Sequence, residues 1–325
     1  MSIFTLINHL TTKGIEIRQE KGQLKLKAPK GALTPELREQ LVTNKAEIIG
    51  FLQEIDKTGK HTAIKPVSRI DADGREINTF PLSYAQERLW FIDQFEQGQA
   101  GYNIPMAVSL HGKLDIAHLE QAFQLIIHRH ENLRTIFPSQ NGQATQVVVA
   151  QLNFTLECVD LSDCSDDILR REDAKQRCQA EAATPFDLAS GPLLRGKVIQ
   201  LSDEEHVLML TMHHIISDGW SSGVMMNEFS QIMQCLQAGR EPALAPLPIQ
   251  YLDYSVWQRK LLDEEGLLNK QLAYWQNKLA GVPELFEVAT DYPRPVTQSV
   301  EGGSHTFRLE ARLAEQLRTL SEQQD

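Results

Sequence analysis

Apolar positions along this chain change period several times, and each change marks an element. Ile3, Leu6, Ile7 and Leu10 recur at helical spacing, and Lys13-Gly14 supplies a stop. Residues 15–28 then alternate: Ile15 and Ile17, a turn at Glu20-Lys21-Gly22, then Leu24 and Leu26. This predicts a hairpin whose polar face carries Arg18, Lys21, Lys25 and Lys27. Pro29 and Gly31 close it. Thr34 is a helix cap with Pro35 at the first helical position, and Leu37, Leu41, Ile48, Ile49 and Leu52 form the apolar side of one or two helices. A unit this short buries little surface alone and gains from a partner.

Residues 58–79 are polar, with Pro, Gly and Asp, and read as a linker with a short hairpin around Asp73-Gly74. From Phe80 the texture is mixed. Asp115 caps a predicted helix with Leu119, Ala122, Phe123, Ile126 and His130 on one face. Strands are expected at 146–149, 154–159, 193–200 and 206–212, and a charged helix at 167–183. Met225, Phe229, Ile232 and Leu236 stripe one further helix, and Leu268, Leu272, Trp275 and Leu279 another. The fold class is α+β.

Charge sharpens the first boundary. The net charge is -11, yet residues 1–57 hold nine Lys/Arg against seven Asp/Glu. A small, mildly basic unit therefore precedes a large acidic one, and an acidic body argues against sequence-independent nucleic-acid binding. Apolar residues at 42% and charged residues at 23% are those of an ordinary globular chain. No run of ~18 apolar residues exists to span a membrane, and the start shows no basic segment ahead of an apolar one, so no secretory signal is visible. Four cysteines in no CxxC spacing make a disulfide framework or zinc knuckle a poor reading, and the cytoplasm is the expected compartment.

The chemistry concentrates in HVLMLTMHHIISDGWSSG, residues 206–223. A nearly continuous apolar run predicts a strand buried on both faces, ending at His213-His214. Adjacent strand residues point to opposite faces, so only one of these histidines faces a given cavity. Ile215–Gly219 is a tight loop with Asp218-Gly219 as its turn signal, and Ser221 or Ser222 is the expected cap of the next helix. Two satisfied histidines at a strand end, a metal pair of His214 and Asp218, and an acyl-transfer site are the competing readings. The metal reading lacks a third ligand.

Four ordered segments decide among them. HHIISDGWS fits the HHxxxDG pattern of the condensation-domain and chloramphenicol-acetyltransferase-like superfamily. SYAQERLWFIDQFEQGQAGYNIP (83–105), RHENLRTIF (129–137) and YLDYSVWQR (251–259) resemble its other core motifs. PFDLASGPLLRGKVI (185–199) and TDYPRPVTQSVEGG (290–303) are similar to family segments as well. Ahead of them, LKLKAPKGALTPELREQLVTNKAEIIGFL resembles the N-terminal docking domains of nonribosomal peptide synthetases and mixed polyketide–peptide synthetases, of the tubulysin-synthetase type.

The resemblance implies a docking domain over 1–57 with an α-β-β-α-α order, a linker over 58–79, and an acetyltransferase-like lobe of mixed sheet and flanking helices over 80–250. The beginning of a second such lobe follows over 251–325, and the resemblance implies that the fragment lacks the rest of it and is inactive alone. It further implies an amide-forming acyltransferase that joins a donor thioester on one phosphopantetheine arm to the α-amine of an aminoacyl group on another. No metal and no cofactor bound by this chain is expected. Partners would be upstream and downstream carrier domains and an upstream synthetase's C-terminal tail, with the docking domain homodimeric. His214 would be the catalytic residue and Gly219 N–H an oxyanion donor. His213, Asp218 and Arg129 would be structural, the last two as a salt bridge. Arg18, Lys21, Lys25 and Lys27 would receive an acidic tail. Arg134 is expected on the same helix as Arg129 in a structural role, and Trp220 and Trp257 are expected in the core. Heterocyclisation domains carry an aspartate pair where this chain has histidines, epimerisation domains differ after the Asp-Gly, and RLWF with SDGWSSG resembles the subtype taking an L-configured donor. Two alternatives stand beside this: a docking module without a complete active site, and a free-standing acyltransferase using coenzyme A.

Overall fold

The computed structural model describes residues 6–7, 10, 15–20, 23–29, 33–58, 63–71, 73–95, 100–264, 266–283, 289–293 and 305–324. The chain divides into two compact units, residues 64–288 on one side and residues 1–63 with 289–325 on the other.

In the first 58 residues, Leu6, Ile7 and Leu10 are helical, as their spacing predicts. Ile3, Lys13-Gly14, Lys21-Gly22 and Gly31 lie outside the described residues. Strands β1 (Glu16–Glu20) and β2 (Gln23–Lys27) pair antiparallel, with Arg18 opposite Lys25 and Ile17 opposite Leu26. Cross-strand partners share a face, so Arg18, Lys25 and Lys27 stand together. Helix α1 (Pro35–Thr43) opens as expected: Leu37 N–H donates to Thr34 Oγ1 at 3.3 Å and Pro35 needs no donor. Asn44 then breaks the helical run by capping the Gln40 carbonyl with both its backbone N–H and its side chain, and α2 (Lys45–Thr58) follows. Leu6, Leu10, Ile15, Leu37, Leu41 and Ile48 form one small buried core.

The stretch expected to be a linker is in large part fastened down. Val67 N–H donates to Asp253 at 2.9 Å, and Arg69 bridges Asp253 at 2.9 Å and Glu131 at 2.7 Å. Asp71 accepts the N–H groups of Asp73 and Arg75 around Gly74, whose φ of 79° suits glycine, and Ile70 bridges Glu76, which gives the expected short hairpin.

After β3 (Thr79–Phe80), α3 (Tyr84–Phe95) and β4 (Asn103–His111) comes α4 (Ile116–Arg129), capped by Asp115, which accepts His118 N–H at 3.1 Å. Short strands β5 (Thr135–Ile136), β6 (Ser139–Gln140), β7 (Gln143–Ala144) and β8 (Gln146–Val148) lead to β9 (Leu156–Asp160), α5 (Asp167–Ala182), β10 (Leu194–Ser202) and β11 (Glu205–His213). Helices α6 (Gly219–Gln237), α7 (Tyr251–Arg259) and α8 (Leu267–Lys278) complete this unit. The main sheet has the order β4-β11-β10-β9, with the first two pairings antiparallel and β10–β9 parallel. Central β11 is buried along nearly its whole length, as the unbroken apolar run requires. Helices α4 and α6 meet through stacked Phe123 and Phe229, their ring centroids 4.8 Å apart. Gly196 lets β9 approach: a Cβ there would lie 2.5 Å from the Leu156 side chain and 2.6 Å from Phe154.

The stripe predicted for α8 forms, but Leu272, Trp275 and Leu279 are about half exposed. The last helix, α9 (Ala311–Gln324), likewise has no buried residue.

Candidate active site

The loop that follows β11 is built from both of its ends. At the strand end His213 turns inward and is 4% exposed, while His214 faces solvent. The opposed faces of a strand divide the pair in this way. His213 Nδ1 accepts Ile215 N–H at 3.1 Å, and its ring sits beside Tyr102 and Phe186. Burial, aided by the neighbouring His214, pushes the His213 imidazole down to about 4. It is therefore neutral at pH 7 and serves as a wedge under the loop. His214 is fixed through its backbone, N–H to Tyr102 O at 2.8 Å, which leaves the imidazole outward.

The far end is the start of α6. Asp218, not Ser221 or Ser222, is its cap. The Asp218 carboxylate accepts Ser221 N–H at 2.7 Å and the Ser221 hydroxyl as well, while Asp218 N–H donates back to Ser221 Oγ at 3.3 Å. These bonds from Ser221 hold the carboxyl below its ordinary range. A serine three residues inside the helix thus completes a capping box, where the sequence alone suggests it as the cap itself. Gly219 is the first helical residue, and its N–H has no partner among the described residues.

The expected Asp218–Arg129 salt bridge is not formed. Arg129 Nε pairs instead with Glu228 at 3.1 Å, and the same carboxylate takes His130 Nε2 at 2.7 Å. The physical reason lies in α6: Asp218 is occupied at the helix start, whereas Glu228, three residues after Met225, lies on the side that packs against α4. Gln250 Nε2 holds the Arg129 carbonyl at 3.0 Å, and Gln250 Oε1 accepts Glu131 N–H at 3.1 Å. Asn132 Nδ2 reaches the loop itself, donating to Ile216 O at 2.6 Å. Sequence reasoning does not single out Glu228, Asn132 or Gln250. Glu228 carries a signal all the same, since a carboxylate inside an apolar helical stripe requires a buried partner.

Arg134 lies not on α4 but in the following 3-10 turn (Glu131–Arg134), where Nη1 donates to Val149 O at 2.6 Å. Trp220 departs from expectation: it is 84% exposed rather than core, because the first turn of α6 points its second residue outward. Trp257 is half-buried.

A cavity of about 240 Å³ lies against this loop, with Ile216, Ser217, Trp220 and Ser221 among its lining. His214 does not line it. Among the described residues no three His, Cys, Asp or Glu side chains are grouped as a metal site, and no helix is long and apolar enough to cross a membrane.

An outward histidine between a neutral, buried neighbour and a helix start with an unpartnered N–H can accept a proton and steady a developing oxyanion. Comparison with known proteins gives the family. Residues 76–325 match the condensation-domain family model, and residues 3–54 match that of the TubC N-terminal docking domain. The chain is 45% identical over 263 residues to a component of the linear gramicidin synthase of Brevibacillus parabrevis, covering 81% of this chain and 3% of that protein. It is 34% identical over 321 residues to bacitracin synthase 2 of Bacillus licheniformis, covering 99% of this chain and 12% of that protein. The chain thus spans a small part of these relatives. Among solved structures it is similar to the X-domain from teicoplanin biosynthesis, with 31% identity and a TM-score of 0.66 over 80% of this chain and 56% of that one. The EpoB cyclization-docking bidomain from Sorangium cellulosum, at 22% identity and a TM-score of 0.58 over 86% of this chain and 53% of that one, shares the fold. This chain belongs to the condensation-domain family of nonribosomal peptide synthetases and carries, ahead of that domain, a docking domain of the TubC N-terminal type.

Proposed function

We propose that the chain forms an amide between two carrier-bound substrates and recruits the upstream synthetase through residues 1–57. The supporting observation is the outward His214, held by its backbone between buried His213 and the capped start of α6. An imidazole can accept a proton from an amine as the amine bonds to the carbonyl carbon. In the proposed step the acceptor amine attacks the donor thioester carbonyl and a C–N bond forms. His214 orients the amine or takes its proton, Gly219 N–H donates to the oxyanion, and the thiolate of the donor arm leaves as the carbonyl re-forms. The thioester is already activated, so positioning two phosphopantetheine arms supplies most of the catalysis.

His214→Ala in a synthetase carrying this chain is expected to abolish dipeptidyl-carrier formation, read by intact-protein mass spectrometry. Retained product would refute the assignment. For recruitment, Arg18, Lys25 and Lys27 share one hairpin face, with Lys21 outside the described residues. Complementary charge steers an acidic C-terminal tail, and the hairpin edge can accept it as an added strand. Lys25→Glu with Lys27→Glu is expected to weaken binding of the cognate tail in calorimetry, and unchanged affinity would move the docking surface elsewhere.

A further inference from the structure

The cavity beside the loop is more than a packing gap. Ile216 and Ser217, two and three residues after His214, form part of its wall, and the exposed Trp220 stands among its lining residues. Resting on the amide-forming reading, we propose that this cavity is a recognition pocket for the side chain of one carrier-bound acyl group, and that it selects an uncharged aromatic or branched aliphatic side chain.

Size, lining and charge each argue for that class. A dry cavity of about 150 Å³ admits benzene, so about 240 Å³ takes a ring or a branched chain with its first methylene. Ile126, Leu133, Met212, Ile216, Val224 and Met225 supply an apolar wall. The titratable groups in the lining are already committed: His130 to Glu228 at 2.7 Å, and the Tyr251 hydroxyl to Ser83 at 2.9 Å. Glu228 in turn is shared with Arg129. A lysyl or aspartyl side chain entering here would shed its hydration, and no lining side chain offers it a free counter-charge, the Asp218 carboxylate lying outside the lining. One wall group remains uncommitted among the described residues, the Ser217 hydroxyl, which leaves an acceptor for a phenol or indole donor.

The ligand chemistry is common to donor and acceptor, so the test has two arms. In the first, the chain labelled at its methionine methyls is titrated with phenylalanyl-, leucyl-, glycyl- and lysyl-pantetheine amides. Shifts are expected at Met212 and Met225, with phenylalanyl and leucyl binding at least tenfold more tightly than glycyl or lysyl. Val224→Trp, which fills the cavity from a partly exposed helical position, is expected to remove them, and Val224→Ala to move preference towards a tryptophanyl probe. Equal binding of all probes, or no response at Met212 and Met225, overturns the proposal. In the second arm, donor and acceptor are varied separately in a synthetase carrying this chain. The substrate whose aromatic-to-glycyl ratio of kcat/KM falls at least tenfold in Val224→Trp occupies the pocket. An equal fall for every substrate on both sides overturns the proposal. Methyl shifts without any transfer would sustain the pocket and sink the amide-forming reading instead.

Discussion

Removing the Glu228 carboxylate should cost this protein far more than removing that of Asp218, although Asp218 belongs to the motif. Glu228→Ala strands two groups at once, Arg129 at 3.1 Å and His130 at 2.7 Å, on side chains that are at most about a quarter exposed. Breaking a buried pair costs about 3–5 kcal/mol, chiefly because the remaining charge is left uncompensated. The residual exposure of Arg129 places this pair at the lower end, about 3 kcal/mol. For a unit the length of residues 64–288, each kcal/mol moves the midpoint by about 2–4 °C, so Tm should fall by about 6–12 °C. Asp218→Ala instead removes a helix cap on an exposed residue, which costs about 1 kcal/mol and about 2–4 °C. Scanning calorimetry of both variants at pH 7 makes the comparison. Arg129→Met/Glu228→Met should recover much of the Glu228→Ala loss, since an apolar pair leaves no stranded charge. The reasoning fails if Asp218→Ala falls as far as Glu228→Ala, or if Glu228→Ala shifts the midpoint by less than about 2 °C.

Three further outcomes are expected. His213 lies at about 4 in the fold against ~6.5 unfolded, so the unfolded chain protonates first. Its contribution is constant above pH ~6.5, is lost as pH falls towards ~4 by an amount on the order of 3 kcal/mol, and then levels off. Urea unfolding between pH ~7 and ~4.5 should be less pH-dependent in His213→Asn, and equal slopes would rule out this origin. Gly196→Ala should destabilise by about 1–3 kcal/mol in denaturant titration, because its Cβ meets Leu156 at 2.5 Å, and a neutral result would mean that β9 shifts freely. Gly219→Ala should leave Tm unchanged or slightly raised, since its Cβ meets nothing within 4 Å, so any loss of transfer in that variant reports on substrate rather than on folding.

What the sequence discloses and what it withholds follow from the range of the forces involved. The Thr34-Pro35 and Asp115 helix starts, the hairpin register and the buried strand ending at His213-His214 are local or periodic features, and the chain writes them openly. Long-range choices are not written in this way. Glu228 rather than Asp218 answers Arg129 because α6 packs beside α4, a fact of tertiary geometry. Residue type alone assigns Trp220 to the core, but its place in the first turn of α6 turns it outward. Arg69 reads as linker, and only the folded chain brings it to Asp253 and Glu131.

The pairing of β4 with β11 has a kinetic consequence. Asn103 stands opposite His213, and the Tyr102 carbonyl just before it holds His214 N–H. The two strands are separated by most of the lobe's sequence, and antiparallel contacts of such long range must close a large loop before they contribute any stability. The tie of His214 to Tyr102 therefore has no local route, unlike the His213–Ile215 and Asp218–Ser221 bonds of the same segment. During synthesis that tie forms only after β11 has emerged and found β4, so local structure such as α4 and α5 precedes the fixing of His214.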